Sequence, residues 1–382
     1  MKKTIALIVA MGLYLKFGVK KAYAWSGKTH EDIVTKALEL LEKEKKLRPS
    51  SFLKNWHKEI LIGCTQPDEP RDMDKGTGMH YYSCVNPKGK ELKDYNGYYK
   101  NRCGKILRSA RTLLEENYTA AVSLYKSGNV EYAMTMIGRA AHFISDMGCT
   151  VHTSNIRYLP NRSNIHCAFE SHVNTTCVKY TADRFDKRLN KYYEKDTFEE
   201  AVHKLIKYSA KFTNVISLLD PRAFDDTAKN TLPVTQQNVM ALFIKFYDDC
   251  TQDKGNYIED NKTYTFKNES TDMVITTSEK GLVLEKPNKS KEQKLTVNLT
   301  PEGTFSLKTY DGSFVNKNLK GYDDIKLNGK PAQFKIASLG KRRFRITTEA
   351  SNYEKVLGIS KSGKITSVEF EPENKSQIWI LN

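Results

Sequence analysis

Cysteine is scarce in this chain and poorly spaced for metal: Cys64, Cys84, Cys103, Cys149, Cys167, Cys177 and Cys250 include no C-x-x-C array. That argues against cysteine-ligated zinc. Long apolar runs are scarcer still. Only TIALIVAMGLYL near the start forms one, and its dozen residues are too few to cross a bilayer. No later segment approaches spanning length, so the mature chain is expected to be soluble. Acid is the minority charge, with 45 Asp and Glu against 61 Lys and Arg, a net +16. Such a balance favours anionic membranes, nucleic acid or acidic polysaccharide as partners without choosing among them.

Basic Lys2-Lys3, the apolar run and the small-x-small triplet Ala22-Tyr23-Ala24 have the order of a secretory signal. Residues 1–24 are therefore expected to direct secretion and to be removed, taking five lysines and lowering the charge from +16 to +11. An exported chain permits disulfides, although seven cysteines leave at least one unpaired and spacing does not reveal the pairing. With 39% apolar and 10% aromatic residues the chain can fill a core, and its 382 residues suggest two domains.

The two halves differ in texture. From Thr29 to about Cys250 apolar residues recur at helical spacing, as in Ile33, Val34, Ala37, Leu38, Leu41 and in Ile106, Leu107, Ala110, Leu113, Leu114. The spacing continues over Val130 to Phe143, a capping-box pattern at Thr197 to Glu200 opens a helix to about Leu219, and Asn238 to Tyr247 makes the last. An all-α domain over 25–250 follows, with a linker at 251–258. Residues 259–382 instead read as short alternating strands. Gln293, Gln333 and Gln377 stand 40 and 44 residues apart, each closing a unit of about four strands. Three such units predict a threefold barrel. The closing Gln377-Ile378-Trp379 resembles the ricin-type β-trefoil motif, which implies a lectin-like module.

Chemistry concentrates in one stretch. His142 and Asp146 are four apart and share a helix face, His152 follows beyond Gly148, and His166 and Glu170 repeat the four-residue spacing. One such pair is an ordinary surface feature; two pairs and a further histidine within thirty residues are not. Imidazole and carboxylate without thiolate make the ligand set of catalytic zinc. His57, His172 and His203 read as solvated or core residues.

Trp25 after the cleavage triplet, His30, Asp68, His80, the H-x-x-x-D-x-x-x-x-x-H run from His142 and the H-x-x-x-E pair from His166 together resemble the zinc-dependent bacterial phospholipase C family, which includes clostridial alpha-toxins. The resemblance covers about residues 25–250 and implies an all-α zinc phospholipase C/P1 nuclease-like fold holding three Zn2+. It implies Asp68, His80, His142 and Asp146 around one ion, and His152, His166 and Glu170 around a second. The third would be held by the Trp25 α-amine and carbonyl with His30 and the bridging Asp146, so cleavage before Trp25 would create a ligand. Metal-hydroxide attack on a phospholipid, phosphatidylcholine first among them, would give diacylglycerol and a phosphorylated headgroup. Asp68 would serve as general base.

The chain departs from that family in places. Glu69 stands where a tyrosine often helps enclose choline, leaving Glu69, Tyr81 and Tyr82 as headgroup contacts. Thr150-Val151 replaces the proline that commonly precedes the third histidine. The acidic loops of the alpha-toxin lipid-binding domain are missing, so the C-terminal half is expected to bind surface glycan, or anionic lipid through its lysines. Two rivals remain. An S1/P1-type nuclease suits a +11 chain, but its last ligand pair typically ends in aspartate after a longer gap, which argues against nucleic acid. A non-enzymatic glycan-binding protein with structural metals is the other. A monomer is expected.

Overall fold

The computed structural model describes residues 27–44, 48–74, 79–92, 99–100, 106–156, 164–252, 257–279, 281–316, 331–349 and 355–382. Trp25, Cys103 and the expected signal segment lie outside the described residues. Helix α1 (Gly27–Lys43) buries Ile33, Val34, Ala37, Leu38 and Leu41, the stripe its spacing predicts. After α2 (Pro49–Leu53), α3 (His57–Thr65) carries Gly63. A short β1–β2 pair (Tyr99–Lys100, Ile106–Leu107) precedes α4 (Ala110–Lys126), which opens on a reciprocal Ser109/Thr112 capping box. Gly128, at φ +82°, then turns the chain into α5 (Val130–Gly148).

Helices α3 and α5 touch backbone to backbone. A Cβ on Gly63 would stand 2.0 Å from the Thr135 carbonyl oxygen, and one on Gly138 would stand 2.1 Å from that of Ile60. Even alanine would force these helices apart, at a cost of about 1–3 kcal/mol. Next come α6 (Thr150–Thr153), α7 (Ile165–Thr176), α8 (Asn190–Tyr193), α9 (Glu199–Ala210), α10 (Thr213–Ile216) and α11 (Pro221–Thr251). One apolar core runs through them, from Ile33 to Phe246.

Several boundaries differ from the sequence reading. The pattern at Thr197 to Glu200 makes no side-chain cap: α9 begins at Glu199 behind Phe198 and ends at Ala210, not near Leu219. Helix α5 runs five residues past Phe143 to Gly148. The last helix begins at Pro221, with the Asp220 carboxylate accepting the Arg222 N–H, and passes through Pro233. That interior proline makes the long helix look like a short one, because proline normally ends the pattern.

The C-terminal half is a β-trefoil. Strands β3 (Lys262–Tyr264) and β4 (Phe266–Asn268) form one broken strand that pairs with β7 (Leu295–Leu299) and with β13 (Trp379–Leu381). The circuit β7, β8 (Phe305–Thr309), β9 (Phe334–Ser338), β10 (Arg343–Thr348), β13 closes back on it as a barrel. Hairpins β5–β6 (Val274–Ser278, Gly281–Glu285) and β11–β12 (Lys355–Ile359, Ile365–Glu369) lie outside the circuit. Closure leaves no barrel edge for another chain to pair with.

The repeat needs one correction. Leu295, Val297, Trp379 and Leu381 face the barrel core, but in the middle unit Phe334 and Ile336 do so. Side chains alternate along a strand, so the middle unit is offset by one residue from the Gln333 alignment. Gln293 and Gln377 each clamp their own unit, accepting from Asn288 N at 2.8 Å and Glu371 N at 3.0 Å. Gln333 accepts from Thr304 Oγ1 at 2.8 Å. The offset turns Lys335 outward, toward the helical domain.

Candidate metal centre

Four elements bring the candidate ligands together: α1 supplies His30; the turn after α3 supplies Asp68; α5 supplies His142 and Asp146; and α7 supplies His166 and Glu170. His80 comes from a loop. His152 rides on α6, which starts after Gly148 ends α5 and Cys149 runs extended. Thr150 replaces a proline at this turn and fixes it differently, by donating to the Ser209 carbonyl at 3.1 Å.

Asp146 sits at the middle. Its Oδ2 lies 2.8 Å from His80 Nδ1 and 3.2 Å from His142 Nε2, while Oδ1 lies 3.1 Å from His152 Nδ1 and 3.7 Å from His30 Nε2. One carboxylate thus addresses two sets of imidazoles. His30 stacks on His142 with ring centroids 3.8 Å apart. Glu170 Oε1 accepts from both sides, 3.2 Å from His152 Nε2 and 2.9 Å from His166 Nε2. Asp68 reaches His30 at 3.7 Å and His80 at 3.9 Å.

Groups in contact with the ligands set their orientation. His142 Nδ1 donates to the Cys64 carbonyl at 2.8 Å, a contact that the Gly63–Gly138 crossing makes possible and that leaves the Nε2 lone pair facing the cluster. Tyr81, expected as a headgroup contact, places its hydroxyl 2.8 Å from His166 Nδ1. Glu69 is exposed beside Asp68. Tyr82 is fully buried, where no headgroup can touch it; it stacks on His203 and takes an Arg111 N–H at 3.4 Å. Its headgroup role is corrected accordingly. His57 lies 3.8 Å from Glu42, and His172 pairs with Asp225 at 3.0 Å.

Electrostatics expose what the cluster lacks. Burial pushes Asp68 up to about 6, with the Asp146 and Glu170 charges adding to the rise against His142 and His80. Burial also pushes Asp146 up, but His142, His80 and His152 outweigh it and hold the carboxyl well below its ordinary range. His152 is held up at about 10, because Asp146 and Glu170 overcome the effect of burial. Burial and the neighbouring His142 push His30 far down. Protons are thus shared unevenly among crowded donors, the situation a bound cation resolves by displacing them.

The donors fit divalent metal on a second count. Both ring nitrogens of His30, Asp68 Oδ2 and Glu170 Oε2 are buried without a hydrogen-bond partner, and Asp146 Oδ1 and His152 Nδ1 are buried 3.1 Å apart without a well-aligned hydrogen bond. Orphaned buried polar atoms are costly, and here they cluster in one place. Three groups bring ligand atoms within 4.8 Å of one another: His30, His142, Asp146; Asp68, His80, His142; and Cys149, His152, Glu170. Cys149 is the member sequence reasoning missed, and nothing in its spacing marks it. Burial, with the Glu170 and Asp146 charges, pushes its thiol well up in the chain without ions.

Comparison with known proteins relates the helical domain to a described family. Residues 29–215 match the family described as zinc dependent phospholipase C. A phospholipase C of Clostridium haemolyticum is 28% identical over 187 residues, 45% of this chain and 45% of its own. The chain thus spans less than half of that relative. Among solved structures, alpha-toxin from an avian strain of Clostridium perfringens superposes with a TM-score of 0.50 at 16% identity, covering 90% of this chain and 96% of its own. The alpha-toxin of Clostridium absonum gives 0.51 at 18% identity, covering 92% and 95%. These two likenesses concern the fold.

Proposed function

We propose, from the premise that the helical domain of this chain belongs to the zinc-dependent phospholipase C family, that the protein is a secreted phosphodiesterase cleaving the glycerol-side bond of phospholipids, phosphatidylcholine first. The observation that carries this reading is the cluster of buried, orphaned imidazole and carboxylate atoms around Asp146. Asp68, His80, His142 and Asp146 would hold one Zn2+; His152, His166 and Glu170 a second; and Trp25 with His30 and Asp146 a third. Zinc, when bound, acidifies water and neutralises phosphate charge.

The chain's own groups do the rest. Asp68 has the most accessible side chain among the described ligands, 11% exposed, and its buried Oδ2 is unpartnered, so the carboxylate can orient water and take its proton. Its rise to about 6 describes the protein without ions, and dications opposite would pull it back down. Tyr81 holds His166 in one ring orientation, and Glu69 offers a charge to a quaternary ammonium. The trefoil would recruit the enzyme to surface glycan, a reading supported by the Gln-x-Trp clamp at Gln377 and Trp379.

Phosphocholine release from phosphatidylcholine vesicles, run beside release of acid-soluble nucleotide from single-stranded DNA, tests this reading. Lipid turnover that disappears in a folded His166→Ala variant is expected. Nucleotide release without lipid turnover would assign the site to a nuclease, and neither activity in a zinc-loaded protein would leave a binding protein.

A further inference from the structure

We infer that the trefoil supports the metal centre directly, with Lys335 acting through Asp74 and Arg139 as a positioning residue for Asp68. The inference rests on reading Asp68 as a ligand. Segment 66–74, which carries Asp68, has little apolar anchorage: Pro67 is buried, and Asp74 is wholly buried. Polar contacts therefore fix its course. Glu69 N–H donates to the Gln66 carbonyl at 2.9 Å, Asp72 N–H to that of Glu69 at 3.1 Å, and Asp74 N–H to Asp72 Oδ1 at 2.8 Å.

Arg139 ties this segment to α5. It donates to both Asp72 oxygens at 2.7 Å, to Asp74 Oδ2 at 2.7 Å and to Gln66 Oε1 at 3.3 Å. It stands three residues before His142, so one guanidinium spans the two elements that bring Asp68 and His142 together. Asp74 Oδ2 also takes Asn117 Nδ2 at 3.2 Å, which leaves Oδ1 as its other face. Lys335 Nζ donates there, from an outward position on β9 that would be solvated if the helical domain did not cover it. Arg108 stands 3.8 Å from the same oxygen and is engaged by Glu116.

Two contacts of the interface are separable from this path, whereas a third, Thr347 Oγ1 donating to Glu116 Oε1, bears on it through Arg108. Arg345 on β10 donates to Glu115 Oε2 at 3.0 Å, and the Ser338 N–H donates to Thr119 Oγ1 at 2.9 Å, contacts with α4 that do not touch segment 66–74. Removing a group that orients a ligand typically lowers metal affinity about 10–100-fold.

The test is Zn2+ titration of the full chain against a chromophoric chelator, with the visible spectrum of the Co2+-loaded protein read in parallel. Lys335→Met should weaken one class of site about 10–100-fold and alter the Co2+ bands, Lys335→Arg should recover most of the affinity, and Arg345→Met should leave it unchanged. Equal weakening by Lys335→Met and Arg345→Met would reduce Lys335 to an interface contact and overturn the inference, as would wild-type affinity in Lys335→Met. Should Lys335→Met fail to fold, Lys335→Gln takes its place under the same criteria. If neither folds while Arg345→Met does, Lys335 is a folding determinant and the positioning role is wrong. Because metal is read without lipid, a protein that shows this dependence yet hydrolyses no phospholipid would sink the proposed activity alone.

Discussion

Two groups of buried charge lie about one turn apart on α5, and they are neutralised differently. Around Asp146, imidazoles and carboxylates face one another with orphaned atoms, and among the described residues no lysine or arginine pairs with them. Around Asp74, every carboxylate meets a cation of the chain: Asp72 and Asp74 meet Arg139, Asp74 meets Lys335, Glu115 meets Arg111 and Arg345, and Glu116 meets Arg108. Buried charge needs a partner. Where the chain supplies one, the cluster is a joint; where it supplies only donors, the partner comes from outside.

This contrast can be broken at either end. The largest effect is expected at the metal centre: chelation of zinc, or His166→Ala, should lower lipid turnover more than about 100-fold, beyond the 10–100-fold of a residue that only orients a ligand, while circular dichroism shows the helical domain still folded. Arg139→Met should do the reverse and act first on folding. It leaves Asp72 and Asp74 buried with too little positive charge, a loss of about 3–5 kcal/mol to be read in urea unfolding.

A smaller effect sharpens the boundary between the clusters. Tyr81→Phe removes the hydroxyl from His166 Nδ1 and should weaken zinc by about tenfold, with thermal stability of the zinc-free protein shifted little; unchanged zinc affinity would return Tyr81 to the headgroup role. Acid should show the smallest change. Burial pushes Asp74 up, but Lys335, Arg139 and Arg108 outweigh it and depress the carboxyl in the folded state. Its contribution to stability is therefore complete above the unfolded value near 4 and is lost as pH falls below that. The stability gap between wild type and Asp74→Asn should be widest at neutral pH and close on acidification.

The two clusters were not equally legible. His142 with Asp146 and His166 with Glu170 could be read because helical spacing puts a residue and its fourth neighbour on one face, and imidazole with carboxylate names the chemistry. Strand alternation likewise announced a β half. The interface left no such trace: Lys335 reads as one more surface lysine on a basic chain, and Arg139 as one more residue of an amphipathic helix. The Gln333 alignment failed for a related reason, since a period of two hides an offset of one until the barrel shows which residues face inward.

Local chemistry and periodicity, which depend only on neighbours along the chain, already fixed the helical and β halves, the paired ligand motifs and the kind of metal they suit. Tertiary structure alone decided that Asp146 stands between two sets of histidines, that Tyr82 is sealed away on His203, and that a trefoil lysine closes the Asp74 pair. The reason is distance: these contacts join residues up to 261 positions apart, and only the packing of helices and barrel brings such residues within reach.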